Sequence, residues 1–301
     1  MSSLTIFVLC HDRPDFARLT LRSILAQTDR DFELIVSDNS SNDEVERMVK
    51  AEFPQINYRR RVPMLQYLAH FNRCIDEAQG DYFCLFHDDD LMHPEFVRNM
   101  KRVMDEHPGA VACSCNARIE SMGTLESRSS FRALGRLERI ASPRDLAQRY
   151  FSRAQSGIAP FPAYVYRRCL VGDVRLPVEG GKYADVTFLL DVALKGSVVW
   201  LNETLMTYRI HGGNVGSSEN LRDRLRFLGY VKRNLKVLGK DLVADYRCSF
   251  IYKRMARDQS VPEARRRTAG RFLKHYSWSR YANVSLYSAL VKRALIKGIA
   301  E

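Results

Sequence analysis

The chain has 301 residues, 46% hydrophobic and 27% charged, the balance of a soluble globular protein of one or two domains. No apolar run reaches the ~18 residues a spanning helix needs, and Met1-Ser2-Ser3-Leu4 lacks a basic leader, so neither a membrane span nor a signal peptide is expected. The net charge of +12 is lopsided: residues 220–301 hold 20 Lys/Arg against 6 Asp/Glu, and residues 1–219 hold 27 against 29.

Leu4 to Cys10 is a nearly continuous apolar run and predicts a buried strand, broken by His11-Asp12-Arg13-Pro14. A helix follows over about 15–27. Phe32 to Val36 is a second strand, ending in the polar turn Ser37 to Asp43. Ser41 with Glu44 has capping-box spacing and predicts a helix start. Ile56 to Tyr58 is a third strand, Met64 to Ala78 a helix, and Tyr82 to Phe86 a fourth strand. Pro94 to Glu106 is helical, and Ala110 to Cys115 is a further strand. The Ser- and Arg-rich stretch Asn116 to Pro143 shows no period and reads as a long surface loop over the active site. Pro162 to Arg167 is a strand, Tyr183 to Leu194 a helix ended by Gly196, and Val198 to Leu201 another strand. Leu205 to Ile210 leads into His211-Gly212-Gly213-Asn214. Amphipathic stretches then occupy Leu221 to Leu238, Leu242 to Arg257, Pro262 to Tyr276 and Ser285 to Ile299.

Strands alternating with helices imply an α/β fold with a mostly parallel sheet flanked by helices. The expected division is a catalytic domain over 1–218 and a basic helical region over 219–301. The seven cysteines are scattered through apolar runs and read as reduced core thiols of a cytosolic protein; Cys113-Ser114-Cys115 has no second pair for zinc.

The stretch Asp88-Asp89-Asp90 directly follows a buried strand. Three adjacent acids repel, and a hard divalent cation such as Mg²⁺ or Mn²⁺ offsets that repulsion. In a parallel sheet the polar turn at Asp38 would lie on the same edge, where open α/β sheets bind ligands. Asp185 opens a later helix; helix capping is its plainest role.

Several segments, in order, resemble the family 2 glycosyltransferases of GT-A fold. Leu4 to Pro14 resembles the family's first strand and turn, and Phe32 to Asp43 its nucleotide-binding acidic turn. Asn72 to Tyr82 resembles the segment before the metal motif, and His87 to Asp90 with Leu91-Met92-His93-Pro94 the D-x-D region. Ala184-Asp185 is similar to the pair that supplies the catalytic base, and Tyr208 to Asn214 to the closing motif. The likeness spans roughly 4–215 and leaves out the basic tail.

The resemblance implies inverting transfer of a sugar from a nucleoside-diphosphate donor to a hydroxyl. By it, Asp38 contacts the base, usually uracil, and Asp12 flanks that pocket. Asp88, Asp89 and Asp90 contact ribose and metal, Asp185 is the general base, and His211 is a metal or pyrophosphate contact. The metal set so implied is Asp90, Asp88 and His211. His87 stands where many members have Asp, so the D-x-D acids are Asp88 with Asp90 or Asp89 with Asp90. Ala184 replaces the usual acid before the base. The Q/R-x-x-R-W motif of processive polysaccharide synthases is absent, which favours non-processive transfer to a glycan or lipid-linked acceptor in cell-surface polysaccharide synthesis.

A sugar nucleotidyltransferase shares the sheet and acids but has a Gly-rich loop after its first strand, and none stands at His11 to Pro14. No dinucleotide or P-loop fingerprint occurs. The basic tail, with Arg265-Arg266-Arg267 near Tyr276, Trp278 and Tyr281, suits an anionic partner. We favour the cytoplasmic face of a membrane over nucleic acid, beside the simpler role of a helical layer packed on the catalytic domain.

Overall fold

The computed structural model describes residues 2–151, 157–212 and 221–280. The predicted helix at Ser285 to Ile299, and Gly213 and Asn214 of the closing motif, lie outside them.

The first strand, β1 (Leu4–Cys10), is buried along its whole length, which is why its sequence is continuously apolar. Its alternate residues serve two cores. Leu4, Ile6, Val8 and Cys10 join one cluster, and Phe7 and Leu9 the other. Helix α1 (Pro14–Leu25) opens with proline, whose fixed φ suits a first helical turn, and buries Ala17, Thr20, Leu21 and Ile24. Then come β2 (Glu33–Asp38), α2 (Glu44–Glu52), β3 (Asn57–Arg60), α3 (Tyr67–Glu77), β4 (Tyr82–His87) and the two-residue β5 (Leu91–Met92). Helix α4 (Phe96–Glu106) buries Phe96, Val97, Met100, Val103 and Met104 at helical spacing. The remaining strands are β6 (Ala110–Ser121), β7 (Thr124–Ser129), β8 (Leu137–Ile140), β9 (Val165–Arg167) and β10 (Ser197–Ile210). Between them lie α5 (Pro143–Phe151), α6 (Arg168–Val171) and α7 (Ala184–Val192).

The ten strands form one sheet in the order β3-β2-β1-β4-β9-β6-β10-β5, with β7 on β6 and β8 on β10. β3, β2, β1 and β4 run parallel, so their carboxyl ends share one edge. β9 runs antiparallel between β4 and β6. Helices α1, α2 and α4 cover one face; α3, α5 and α7 cover the other.

Three local expectations are corrected. The stretch 116–143 is largely strand: β6 runs to Ser121 and turns through Met122 and Gly123, both at positive φ, into β7. One side of this hairpin faces solvent, so polar residues hid it. The two predicted segments at 198–201 and 205–210 are one strand, β10, with its register against β6 shifting between Leu201 and Thr204. Ser41 does not cap α2; its N–H and hydroxyl both donate to Asp12, while Asn42 Oδ1 accepts from the Glu44 N–H.

Beyond residue 220 the chain forms α8 (Leu221–Arg233), α9 (Leu235–Leu238), α10 (Lys240–Tyr246), a π-helical turn (Arg247–Tyr252), α11 (Lys253–Arg257) and α12 (Glu263–Arg280). Phe227, Leu228, Tyr230, Val231, Leu242 and Tyr246 belong to the same hydrophobic cluster as α5, α7 and the sheet. Phe151 meets Phe227 and Tyr246 at centroid distances of 5.2 and 5.1 Å. The first part of the basic region is thus a helical layer continuous with the core. Six of the seven cysteines are buried and Cys169 is exposed. No helix among the described residues is long and apolar enough to cross a membrane.

Candidate active site

The carboxyl ends of β1, β2 and β4 bring together His11 to Arg13, Asp38 to Ser41 and His87 to Asp90, as a parallel sheet requires. Asp12 is held in the left-handed region at φ 53°, which Asp tolerates better than most residues. Its N–H donates to Ser40 Oγ, and its carboxylate accepts from Ser41. Burial opposes the Asp12 charge, but the Ser41 hydrogen bonds prevail and lower its pKa.

Asp38 is fully buried and fully engaged. It accepts from Tyr58 Oη at 2.5 Å, Arg60 Nη1 at 2.7 Å, Ser40 N at 2.9 Å and Ser40 Oγ at 2.5 Å. Asn39 clamps Leu65 through two hydrogen bonds, 2.9 Å from its Nδ2 to the carbonyl and 2.7 Å from the Leu65 N–H to its Oδ1. This turn is therefore set before any ligand arrives.

The acid triplet lies between the strand ends and β10. Thr20 Oγ1 lies 2.8 Å from the Asp88 carbonyl and 2.7 Å from the Asp90 carbonyl, fixing the backbone. Asp88 accepts from the His11 N–H at 3.0 Å and from Arg13 Nη2 at 2.5 Å. Asp89 Oδ2 accepts from Arg13 Nη1 at 2.7 Å and lies 3.0 Å from His211 Nε2. Asp90 Oδ1 accepts from the Arg209 N–H at 2.9 Å, and Arg209 Nε donates to the Asp89 carbonyl. Phe16 stacks on His211 at 4.4 Å and lies under the Arg209 guanidinium at 4.9 Å.

Burial separates the three acids electrostatically. It pushes Asp88 up to about 7 against the pull of Arg13, and raises Asp90 well above the usual range with Asp89 adding to the effect. Burial works against the Asp89 charge too, but His87, Arg13 and His211 outweigh it and hold its pKa low.

Two buried polar atoms here lack hydrogen-bond partners: Asp90 Oδ2 and His87 Nε2. His87, Asp89 and Asp90 each offer a ligand atom, and these lie within 4.8 Å of one another. Orphaned buried polar atoms are rare in folded proteins, and an imidazole with two carboxylates is a donor set that fits a divalent ion. Of the expected set Asp90, Asp88 and His211, Asp90 is in this group. Asp88 has both oxygens engaged by Arg13 and His11, and His211 bonds to Asp89.

Asp185 is the second residue of α7, with Tyr183 at the capping position. The preceding turn needs glycines: Gly181 has φ 57°, and a Cβ on Gly180 would come within 2.5 Å of Thr187 Oγ1. Asp185 Oδ1 is buried without a partner, and burial raises the carboxyl to about 6. Burial thus outweighs the helix end. The phenols of Tyr67 and Tyr208 feel the charges of both Asp185 and Asp89, so these groups lie within electrostatic reach of common neighbours.

Residues 5–169 match the sequence profile of Glycosyl transferase family 2, more than half of the chain. The chain belongs to this family. Among curated relatives, it is 25% identical to an uncharacterized protein of Mycobacterium tuberculosis, MT1568, over 229 residues that cover 70% of each chain. It is also 25% identical to protein CgeD of Bacillus subtilis over 118 residues, 36% of this chain and 28% of that one, so it spans under a third of CgeD. Among solved structures it resembles S. aureus TarS 1-349 in complex with UDP-GlcNAc, with TM-score 0.65 and 15% identity over 90% of this chain and 80% of that one. The mannosyltransferase PcManGT of Pyrobaculum calidifontis, in complex with GDP-Man and Mn²⁺, gives TM-score 0.56 and 14% identity over 97% and 86%. The fold is GT-A, with a central sheet flanked by helices.

This family 2 chain contains site residues that sequence reading did not assign. Arg13 bridges two acids, and Arg209 anchors a third. His87 was visible as a departure from Asp, without a role. Tyr67 and Tyr208 carried no signal of their proximity to the acids, because only the folded chain brings α3, α7 and β10 together.

Proposed function

We propose that this glycosyltransferase transfers a sugar from a nucleoside-diphosphate donor to a hydroxyl with inversion, one residue at a time. The observation that carries the reading is Asp185: a buried carboxylate oxygen without a partner, on a different element from the acids at the end of β4. An inverting transfer needs a base opposite the leaving group. The acceptor oxygen bonds to the anomeric carbon as the bond to the diphosphate breaks. Asp185 takes the acceptor proton, and the nucleoside diphosphate leaves with the bonding electrons. A pKa near 6 leaves Asp185 ionised at neutral pH yet basic enough to accept that proton.

His87, Asp89 and Asp90 would hold a divalent cation, Mn²⁺ or Mg²⁺, which when bound stabilises negative charge on the departing diphosphate. By family resemblance Asp38 would serve the nucleotide base and favour uridine; it is buried and organises the turn through Tyr58, Arg60 and Ser40. Asp12 shapes the same turn through Ser41. Asp88 contributes to the ribose side indirectly, by fixing His11 and Arg13.

The acceptor is a glycan or lipid-linked molecule near the cytoplasmic face of a membrane, with cell-surface polysaccharide as the product. Support comes from α12, where Arg267, Arg271 and Lys274 are exposed at spacings of four and three, on one side of the helix. A screen of UDP- and GDP-sugars with added Mn²⁺ or Mg²⁺ tests the donor. Metal-dependent donor hydrolysis or thermal stabilisation supports the reading, and no response to any nucleotide sugar removes it. Equal sedimentation with neutral and anionic vesicles would remove the membrane role.

A further inference from the structure

We propose that His87 coordinates the divalent cation directly through Nε2, making a mixed nitrogen and oxygen site that prefers Mn²⁺ to Mg²⁺. This role of His87 rests on the acid cluster being part of the sugar-transfer centre, and deepens that reading.

Three observations converge. First, His87 Nε2 is buried and has no hydrogen-bond partner. Imidazole nitrogens are good ligands, and a buried one without a hydrogen bond is rare unless it serves another purpose. Second, Asp90 belongs to the same group, is fully buried, and has one carboxylate oxygen, Oδ2, in the same condition. With Asp89, the ligand atoms of the three residues fall within 4.8 Å of one another, close enough to share one ion. Third, the ring is held by groups that offer it no hydrogen bond. Phe71 meets it edge-on at 5.9 Å, and Phe161 lies at 6.1 Å.

The surrounding bonds orient the oxygens. The Arg209 N–H takes Asp90 Oδ1 and leaves Oδ2. Arg13 and His211 both approach Asp89 Oδ2, which fixes the direction of that carboxylate. Such outer contacts set ligand orientation in metal sites. The two histidines therefore act differently. His211 leans on a ligand carboxylate, and His87 is itself a ligand.

The chemical consequence is selectivity. Mg²⁺ demands oxygen ligands in near-ideal octahedral geometry and gives up water reluctantly. Imidazole nitrogen favours transition metals, and Mn²⁺ accepts carboxylate and imidazole together. An Asp at position 87 would give an all-oxygen site more tolerant of Mg²⁺.

The test uses the full chain and Mn²⁺ as probe, alone and with UDP. Electron spin-echo spectroscopy of bound Mn²⁺ should show modulation from a directly coordinated ¹⁴N. That signal should vanish in His87→Asp and persist in His211→Ala. Competition should show Mn²⁺ displacing Mg²⁺ in the wild type, with the preference shrinking by about tenfold or more in His87→Asp, at least the scale of losing an outer-shell contact. Bound Mn²⁺ without ¹⁴N modulation, modulation that survives His87→Asp, or no Mn²⁺ binding in either arm overturns the proposal. Absence of ¹⁴N modulation in the wild type overturns the proposal even where a variant does not fold. No sugar transfer is needed: an inert donor screen with the ¹⁴N signal intact would remove the transfer reading and leave His87 as a ligand.

Discussion

The backbone N–H of Arg209 donates to Asp90 Oδ1 at 2.9 Å, while Oδ2 of the same carboxylate is buried with no partner. One oxygen therefore ties the acid triplet to β10, and the other remains for a ligand. Asp90→Asn keeps an acceptor for Arg209 but removes the charge. Sugar transfer should fall by about a hundredfold or more, the scale of losing a preorganised electrostatic group. Folding stability should stay level or rise, because a buried charge is gone. Asp90→Ala should instead lose about 1–3 kcal/mol, since the Arg209 N–H is orphaned. Donor turnover and urea unfolding on the two variants separate these effects.

Asp185 predicts a pH dependence. A general base must be ionised, so kcat/KM should rise with pH through about 6 and level off above it. Stability has the opposite sign. The folded pKa lies above the ordinary 3.8, so the folded chain holds the proton more tightly. That stabilisation is complete below 3.8 and lost as pH rises through about 6. Asp185→Asn should therefore abolish transfer yet melt no lower than wild type at about pH 8, and this margin should shrink on acidification. A variant that keeps full transfer would remove Asp185 from the mechanism.

Arg13 supplies the countercharge to two buried acids at 2.5 and 2.7 Å. Arg13→Ala removes the guanidinium shared by Asp88 and Asp89 and should cost about 2–4 kcal/mol, the lower part allowing for the partial exposure of the guanidinium and for the His11 N–H and His211 contacts that remain. Arg13→Lys should recover only part, since one ammonium cannot reproduce the forked contact. Urea midpoints measured at constant slope check both.

Asp38 is the acid for which structure and ligand roles are hardest to separate, so both readouts matter. Asp38→Ala strands Tyr58, Arg60 and Ser40 and should lose about 2–4 kcal/mol as well as activity. Its activity loss should thus travel with a lowered melting temperature, unlike that of Asp90→Asn. Calorimetry alongside turnover distinguishes the two patterns.

The helical layer after residue 220 should prove necessary for folding. Phe227 is buried against Phe151, Tyr183 and Tyr246, and Phe227→Ala should cost about 3–5 kcal/mol. Arg224 lies over Tyr183 at 4.7 Å and Phe250 at 4.4 Å, so α8 grips the turn that leads into Asp185. A chain ended at residue 220 should be insoluble or markedly destabilised. A cooperative melt of that fragment near the wild-type temperature would show that the layer is dispensable.

The parallel half of the fold was legible because β1, β2 and β4 are buried on both faces and read as apolar runs punctuated by acids. The hairpin of β6 and β7 was not, because its outer residues, Arg118, Glu120 and Arg128 among them, answer to water rather than to a core. At the site, residue types that carry chemistry in any context stood out: the acid triplet, Asp38 and Asp185. Their partners did not. Nothing in the sequence shows that the Ser41 N–H and hydroxyl will both turn to Asp12, or that Asp88 will be taken by Arg13 seventy-five positions away. Those pairings arise when strand ends are brought to one edge, and they leave both Asp88 oxygens bonded to His11 and Arg13.

The place of β9 carries a consequence for how the chain is made. Val165–Arg167 sits antiparallel between β4 and β6 and pairs Tyr82 to Cys84 on one side with Ala112 and Cys113 on the other. As the polypeptide leaves the ribosome, β1 to β4 can zip together early, but the side of β4 that β9 will occupy stays open until Arg167 has been synthesised. For that interval a buried, apolar strand offers unpaired amides to any neighbour, the condition that invites strand exchange between nascent chains. A three-residue segment late in the order closes the seam, so slowed translation before residue 165 should lower soluble yield more than slowing after it.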